Sequence, residues 1–200
     1  MIECHAIGPV ELVVNGASAP PDLLWRKNIA LLVYLAQSPQ RTCSREHLVN
    51  LLWPGKPTAA ARHSLRESLR VVRKHAGKGL VESDTKHIRL LDGAVRMDTD
   101  TLMECRESRL WTSAAELVRG PFMEGFSLPR APTFMDWLEK QRTAWSERSV
   151  EALEAAAREA ASAGQTHLAE RFARMARELN PEALLAAGAT ATAPPGHMIH

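Results

Sequence analysis

The stretch Thr58–Gly77, TAAARHSLRESLRVVRKHAG, constrains this chain more than any other. On a helix advancing about 100° per residue, Leu65, Leu69, Val72 and Ala76 fall on one apolar stripe. Arg62, Arg66, Arg70 and Arg73 lie within about 80° of one another, beside that stripe. His63, Glu67 and Lys74 continue the polar side. Such a helix docks on a core along one stripe and offers guanidinium groups along the next. Guanidinium matches phosphate oxygens and the major-groove edge of guanine. An ordinary amphipathic helix with solvated arginines has the same pattern, so the neighbouring segments must discriminate.

Upstream, Cys4–Ile7 and Val10–Val14 read as short strands, with turn chemistry at Gly8-Pro9 and Asn15-Gly16. From Leu23 the period changes. Leu24, Trp25, Ile29, Leu32, Val33 and Ala36 recur at helical spacing until Ser38-Pro39. Ser44 is an N-cap for a second helix, Arg45–Trp53, with Leu48, Leu51 and Leu52 inward and Pro54-Gly55-Lys56-Pro57 after it. Thr58 is expected to cap the arginine helix, and Gly77 and Gly79 to close it. Leu80–Ser83, the turn Asp84-Thr85 and Lys86–Leu91 read as a β-hairpin. The order β-β-α-α-α-β-β, with a basic third helix before a hairpin, is that of a winged helix-turn-helix.

Beyond Asp92-Gly93 the pattern turns helical. Ser113-Ala-Ala-Glu116 and Thr133-Phe-Met-Asp136 have the form of capping boxes. The second opens a long helix toward Ala163, with Trp137, Leu138, Trp145 and Leu153 inward and Gly164 as its break. A last helix runs over about Thr166–Leu179 with Pro181 beyond it. Its Ala169, Ala173, Ala176 and Pro181 have the small-residue spacing of one tetratricopeptide unit. The fold class expected is therefore α+β, a winged helix at 1–97, then an all-α tetratricopeptide-like part at 98–187. The tail 188–200 lacks large apolar residues and is expected to be disordered.

Composition excludes several classes. No apolar run reaches the ~20 residues of a membrane span. The start, MIECHAIGPVELVV, lacks a basic segment and carries glutamate, unlike a signal peptide. A cytoplasmic protein without membrane partners is expected. Cys4, Cys43 and Cys105 are scattered, which fits free thiols and neither a disulfide framework nor a zinc motif. The sequence holds no phosphate-binding glycine loop, nucleophile elbow or zinc-protease helix. No catalytic residues, cofactor or metal are expected. Asp98 and Asp100 read as a helix start. The net charge of +2 is uneven: residues 1–93 carry 13 Lys and Arg against 8 Asp and Glu, residues 94–200 carry 12 against 15. That split fits a nucleic-acid-facing part joined to a protein-facing one.

Several segments together resemble a known family. They are Ile7–Leu12, Trp25-Arg26-Lys27 with Ala30–Ala36, Ser44–Leu48, Leu51-Leu52-Trp53-Pro54, Ala61–Arg66, Val72-Arg73-Lys74, and Arg119-Gly-Pro-Phe-Met-Glu-Gly-Phe126 with Asp136–Glu139 and Arg142. In that order, over about Ile7–Leu185, they resemble bacterial transcriptional activators of the antibiotic-regulatory-protein (SARP) type. Those join an OmpR-like winged helix to a bacterial transcriptional activator domain (BTAD). The resemblance implies binding of promoter DNA at direct repeats and recruitment of RNA polymerase. It puts Arg62, Arg66, Arg70 and Arg73 on the recognition helix and Lys86, His87 and Arg89 in the wing. It gives Pro54, Gly55, Lys56 and Pro57 a polymerase contact. The family's helical domain normally continues through further pairs, so the part at 98–187 reads as incomplete, and a homodimer on DNA is one way to cover its end.

The DNA-binding set expected is thus Arg62, His63, Arg66, Arg70, Arg73 and Lys74 on the helix, Ser44 and Arg45 before it, and Lys86, His87 and Arg89 in the wing. Arg73 sits beside the core stripe, and phosphate contact and a structural ion pair are equal alternatives for it. Ser44 is either a plain N-cap or a phosphate ligand. Glu67 is expected to pair with Arg70 or Arg66. The tryptophans Trp25, Trp53, Trp111, Trp137 and Trp145 are expected in the core. The competing function is a protein-interaction module whose winged helix is only a scaffold and does not bind DNA.

Overall fold

A computed structural model describes residues 1–77 and 79–180. The segments expected as a terminating proline and a disordered tail, Pro181 and 188–200, lie outside the described residues. The chain opens with four strands, β1 (Ile2–His5), β2 (Gly8–Pro9), β3 (Glu11–Val14) and β4 (Ala17–Ser18). Then come α1 (Arg26–Gln37), β5 (Thr42–Ser44), α2 (Arg45–Leu52), α3 (Thr58–Ala76), β6 (Val81–Ser83), β7 (His87–Leu90) and β8 (Val95–Met97). The rest is mainly helical: α4 (Asp98–Glu107), α5 (Trp111–Glu116), β9 (Phe122–Glu124), α6 (Pro132–Ser162) and α7 (Thr166–Leu179).

Three small sheets organise the strands. The first has the order β4-β3-β1-β8, with β8 parallel to β1 in the register Ile2↔Val95 and Cys4↔Met97. Ile2, Cys4, Leu12, Val95 and Met97 are all buried, as alternation in a half-buried sheet requires. The second pairs β2 with β9 in parallel, so Gly8-Pro9, expected as a turn, is a strand. Gly8 holds φ +121°, and a Cβ there would stand 2.8 Å from the Arg119 Cβ, so glycine alone fits this crossing. The third has the order β5-β7-β6 and contains the expected hairpin, with Val81↔Leu90 and Ser83↔Ile88 opposed.

The three helices before the hairpin pack through apolar stripes, but Leu24 and Trp25 of the stripe expected for α1 are exposed, and Leu31 and Leu35 are buried beside Ile29, Leu32, Val33 and Ala36 instead. Ile29, Leu31, Leu32 and Leu35 of α1, Leu48, Leu51 and Leu52 of α2, and Leu65, Leu69, Val72 and Ala76 of α3 are all buried. Helix starts depart from expectation. Helix α1 begins only at Arg26; Trp25 is its N-cap, in extended backbone, and is 73% exposed, outside the core expected for it. Pro57 holds the N-cap of α3 with no side-chain cap, and Thr58 is its first residue. Gly77, at φ +119°, ends the helix. Ser113 lies inside α5, which follows Leu110, so its capping box does not form. Thr133 lies inside α6, which starts one residue earlier because Pro132 takes the first helical position, the place proline suits.

The helical part packs on the first part through α6. Leu138, Trp145 and Leu153 are buried there, as is Trp53 at the end of α2, while Trp111 and Trp137 are half-buried. The Trp145 indole donates to Gln37 Oε1 (3.3 Å), and Gln37 Nε2 donates to Thr99 Oγ1 (2.9 Å). Tyr34 of α1 stacks on His47 and meets the Trp137 ring at a tilt of 57°. Arg142 donates to the carbonyls of Phe122, Met123 and Phe126, holding the 122–126 loop on α6. Helix α7 lies along α6 with Phe172 and Ala176 buried.

Asp98 does more than start α4. Its carboxylate accepts from the Ala6 N–H (2.9 and 2.8 Å) and the Ile7 N–H (2.9 Å), pinning the β1–β2 turn to α4. Burial nevertheless holds its pKa above the ordinary carboxylate value, against the pull of those bonds. Arg41 binds Asp100 (2.5 Å) and the Val95 carbonyl (2.8 Å) beside it. Cys4 is a buried free thiol whose pKa burial drives upward; Cys43 and Cys105 are half-buried. Among the described residues, no helix is long and apolar enough to cross a membrane.

Candidate nucleic-acid interface

A groove of about 650 Å³ runs between α2, α3 and the hairpin tip. Its walls gather six of the residues expected to bind DNA: Ser44 and Arg45 from the start of α2, Arg62 and Arg66 from α3, Lys86 and His87 from the hairpin. They are far apart in sequence, and the fold makes one cationic surface of them. Glu46 is the one carboxylate in the lining.

Local structure explains the gathering. Ser44 is the last residue of β5 and the N-cap of α2; its Oγ accepts from the His47 N–H at 3.1 Å. The Arg45 N–H donates to the Lys86 carbonyl at 2.7 Å, so the helix start and the hairpin are tied at the groove. Asp84 shapes the hairpin tip by accepting from the N–H groups of Lys86 and His87, at 2.6 Å each. Those two bonds hold its carboxyl below the usual carboxylate range. The side chains of Arg45, Arg62, Arg66 and Lys86 make no hydrogen bond or ion pair among the described residues. They are cations with all their donors open to a polyanion. Thr58, Asn50 and Thr85 also line the groove. Sequence reasoning missed these three hydrogen-bonding side chains, since only the folded groove sets them beside the cations.

The remaining expected residues go elsewhere. Arg73 donates Nε to the Val81 carbonyl (3.2 Å) and a guanidinium N–H to Ser83 Oγ, so it is tied to the hairpin by hydrogen bonds, with no ion pair among the described residues. Lys74 binds Asp22 at 3.0 Å, as does His75. Asp22 is held below the ordinary carboxylate range, chiefly by the Lys74 hydrogen bond. Arg70 pairs with Glu67 at 3.0 Å on the exposed face of α3 and, with His63, turns toward a second cleft. Arg89 is exposed on β7 and does not line the groove. The turn Pro54–Pro57 is exposed throughout; Lys56 donates to Ser64 Oγ (3.1 Å). Pro54, Gly55 and Lys56 line both clefts.

Chemically, the groove offers guanidinium, ammonium and hydroxyl donors with one opposing carboxylate. It suits a polyanion longer than one phosphate, because its cations span two helices and a hairpin. No cluster of three or more His, Cys, Asp or Glu able to hold a metal ion occurs among the described residues. No protein-family model matches the chain, and no curated protein matches it.

Proposed function

We propose that this chain is a sequence-specific duplex-DNA-binding transcriptional regulator. Its residues 1–97 act as a winged helix-turn-helix and its helical part as a tetratricopeptide-like partner-binding unit. One observation carries the reading: Arg62 and Arg66, unpartnered on α3, share a groove with Arg45 and Lys86. In this reading α3 enters the major groove, where Arg62 and Arg66 reach guanine edges or flanking phosphates. Arg45 and the start of α2 meet one phosphate strand; Lys86 and His87 at the hairpin tip meet the other. Arg70 and His63 flank this surface, and Arg73 and Lys74 support the helix rather than the ligand.

The resemblance to activators of the antibiotic-regulatory-protein type extends the proposal. The turn Pro54–Pro57 faces RNA polymerase, the site is a direct repeat, two copies bind it together, and the protein works in the cytoplasm. The test is selection of binding sites by the full chain from a library of random duplexes. A recurring motif of one or two half-sites supports the proposal. Selected pools no different from the starting library overturn it.

A further inference from the structure

A second cleft, of about 790 Å³, opens on the other flank of α3. The start of α1, the turn Pro54–Lys56 and the His63, Glu67 and Val71 side of α3 form its walls, together with Arg130. Trp25 stands at its edge, 73% exposed, with Leu24 beside it at 45%. These are two of the four large hydrophobic side chains that are exposed among the described residues. The side chains that α1 buries begin after them, at Asn28. An exposed tryptophan on the lip of a mostly apolar cleft marks a contact surface.

The charges around it are one-sided. Lys27, Lys56, Arg70 and Arg130 face Asp22 and Glu67. Both carboxylates are occupied, Asp22 by Lys74 and His75 and Glu67 by Arg70. Arg130 has no partner among the described residues. Lys27 lies over the Trp53 ring at 5.7 Å and donates to the Leu52 carbonyl. Its pKa is lowered, first by burial and then by Lys56, so an anion placed between the two ammonium groups would relieve both.

We propose that this cleft docks an acidic amphipathic segment of a partner protein. An aromatic or aliphatic side chain of that segment covers Trp25 and enters the cleft, while its carboxylates meet Arg130 and Lys56. Charge complementarity and the apolar lining together favour this occupant over nucleic acid, which would leave apolar walls against sugar and phosphate. The proposal does not rest on DNA binding: Lys56 lines both clefts, but Trp25 and Arg130, the residues the test varies, lie outside the groove of Arg62 and Arg66.

The test is selection of displayed random peptides of about 12 residues on the full chain, counter-selected on Trp25→Ala. Selected peptides are then measured by fluorescence anisotropy. The expected sequences combine Asp or Glu with aromatic or aliphatic residues. Trp25→Ala should weaken them about tenfold or more, as truncation of an anchor tryptophan does. Arg130→Glu should weaken them severalfold, and both variants should keep the wild-type melting temperature and duplex binding. Arg130→Lys should retain most of the affinity. Three results would overturn the proposal: no peptides distinguished by Trp25→Ala, selected peptides that are neutral or basic, or displacement of the peptide by equimolar single-stranded oligonucleotide. Loss of duplex binding in Trp25→Ala would instead assign this cleft to DNA.

Discussion

Asp98→Ala removes one carboxylate from a buried junction between the first sheet and α4. The Ala6 and Ile7 N–H groups that it accepts from belong to fully buried residues. Each buried donor left without an acceptor costs about 1–3 kcal/mol. Relief of the carboxylate's own burial cost offsets part of that sum. The expected loss of stability is about 2–4 kcal/mol, or about 4–15 °C in melting temperature for a chain of this size. The pH dependence has a definite sign. Burial raises the Asp98 pKa above its ordinary value, so its contribution is fully present below the unfolded pKa, near 4, and declines as pH rises through the raised native value. Urea unfolding followed by tryptophan fluorescence, at pH 7 and near pH 4.5, measures both effects. The difference between wild type and Asp98→Ala should be larger at the lower pH. A loss under about 0.5 kcal/mol at pH 7, or a loss that grows with pH, would refute the junction described here.

Trp53→Ala should cost about 3–5 kcal/mol in the same unfolding assay, because the ring is 6% exposed and truncation leaves a large cavity. Arg73→Ala should lower the melting temperature through loss of its bonds to Val81 and Ser83 while leaving the salt slope of duplex binding unchanged. Glu67→Ala should leave the melting temperature within about 1 °C, since its pair with Arg70 is an exposed i,i+3 pair. Asp84→Ala should speed amide exchange at Lys86 and His87 and weaken duplex binding. In the wild type the same loosening should appear as pH falls through the lowered Asp84 pKa, because the contribution of a carboxylate with a depressed pKa is lost on protonation.

Where sequence pattern is local and periodic, the fold was legible. The ends of α3 and α7, the hairpin around Asp84-Thr85 and the Ser44 cap all follow from stripes, caps and turn residues within a few positions. Strands β5, β8 and β9 were not legible. Each has three residues, and β8 and β9 pair with strands about ninety residues or more away, so no window of sequence carries their signal. Helix starts erred where proline or an extended residue shifted the cap, at Trp25, Thr58 and Thr133. The site was half legible. Periodicity puts Arg62, Arg66, Arg70 and Arg73 on one ribbon, but it cannot tell that β6 claims Arg73 while Glu67 claims Arg70. Asp98 looked like a helix start and is one, yet its partners at Ala6 and Ile7 belong to tertiary structure.

The central claim is that Arg62 and Arg66 bind duplex DNA from the groove between α2, α3 and the hairpin. It is tested most directly by duplex binding of the wild type and of the Arg62→Ala, Arg66→Ala double variant across a salt series. Both side chains are exposed and unpartnered, so the variant should keep the wild-type melting temperature. Affinity should fall by about 1–3 kcal/mol for each base edge no longer read, and the log–log salt slope should flatten by about 0.9 for each phosphate no longer neutralised. Equal affinity and equal slope for the two proteins would contradict the claim.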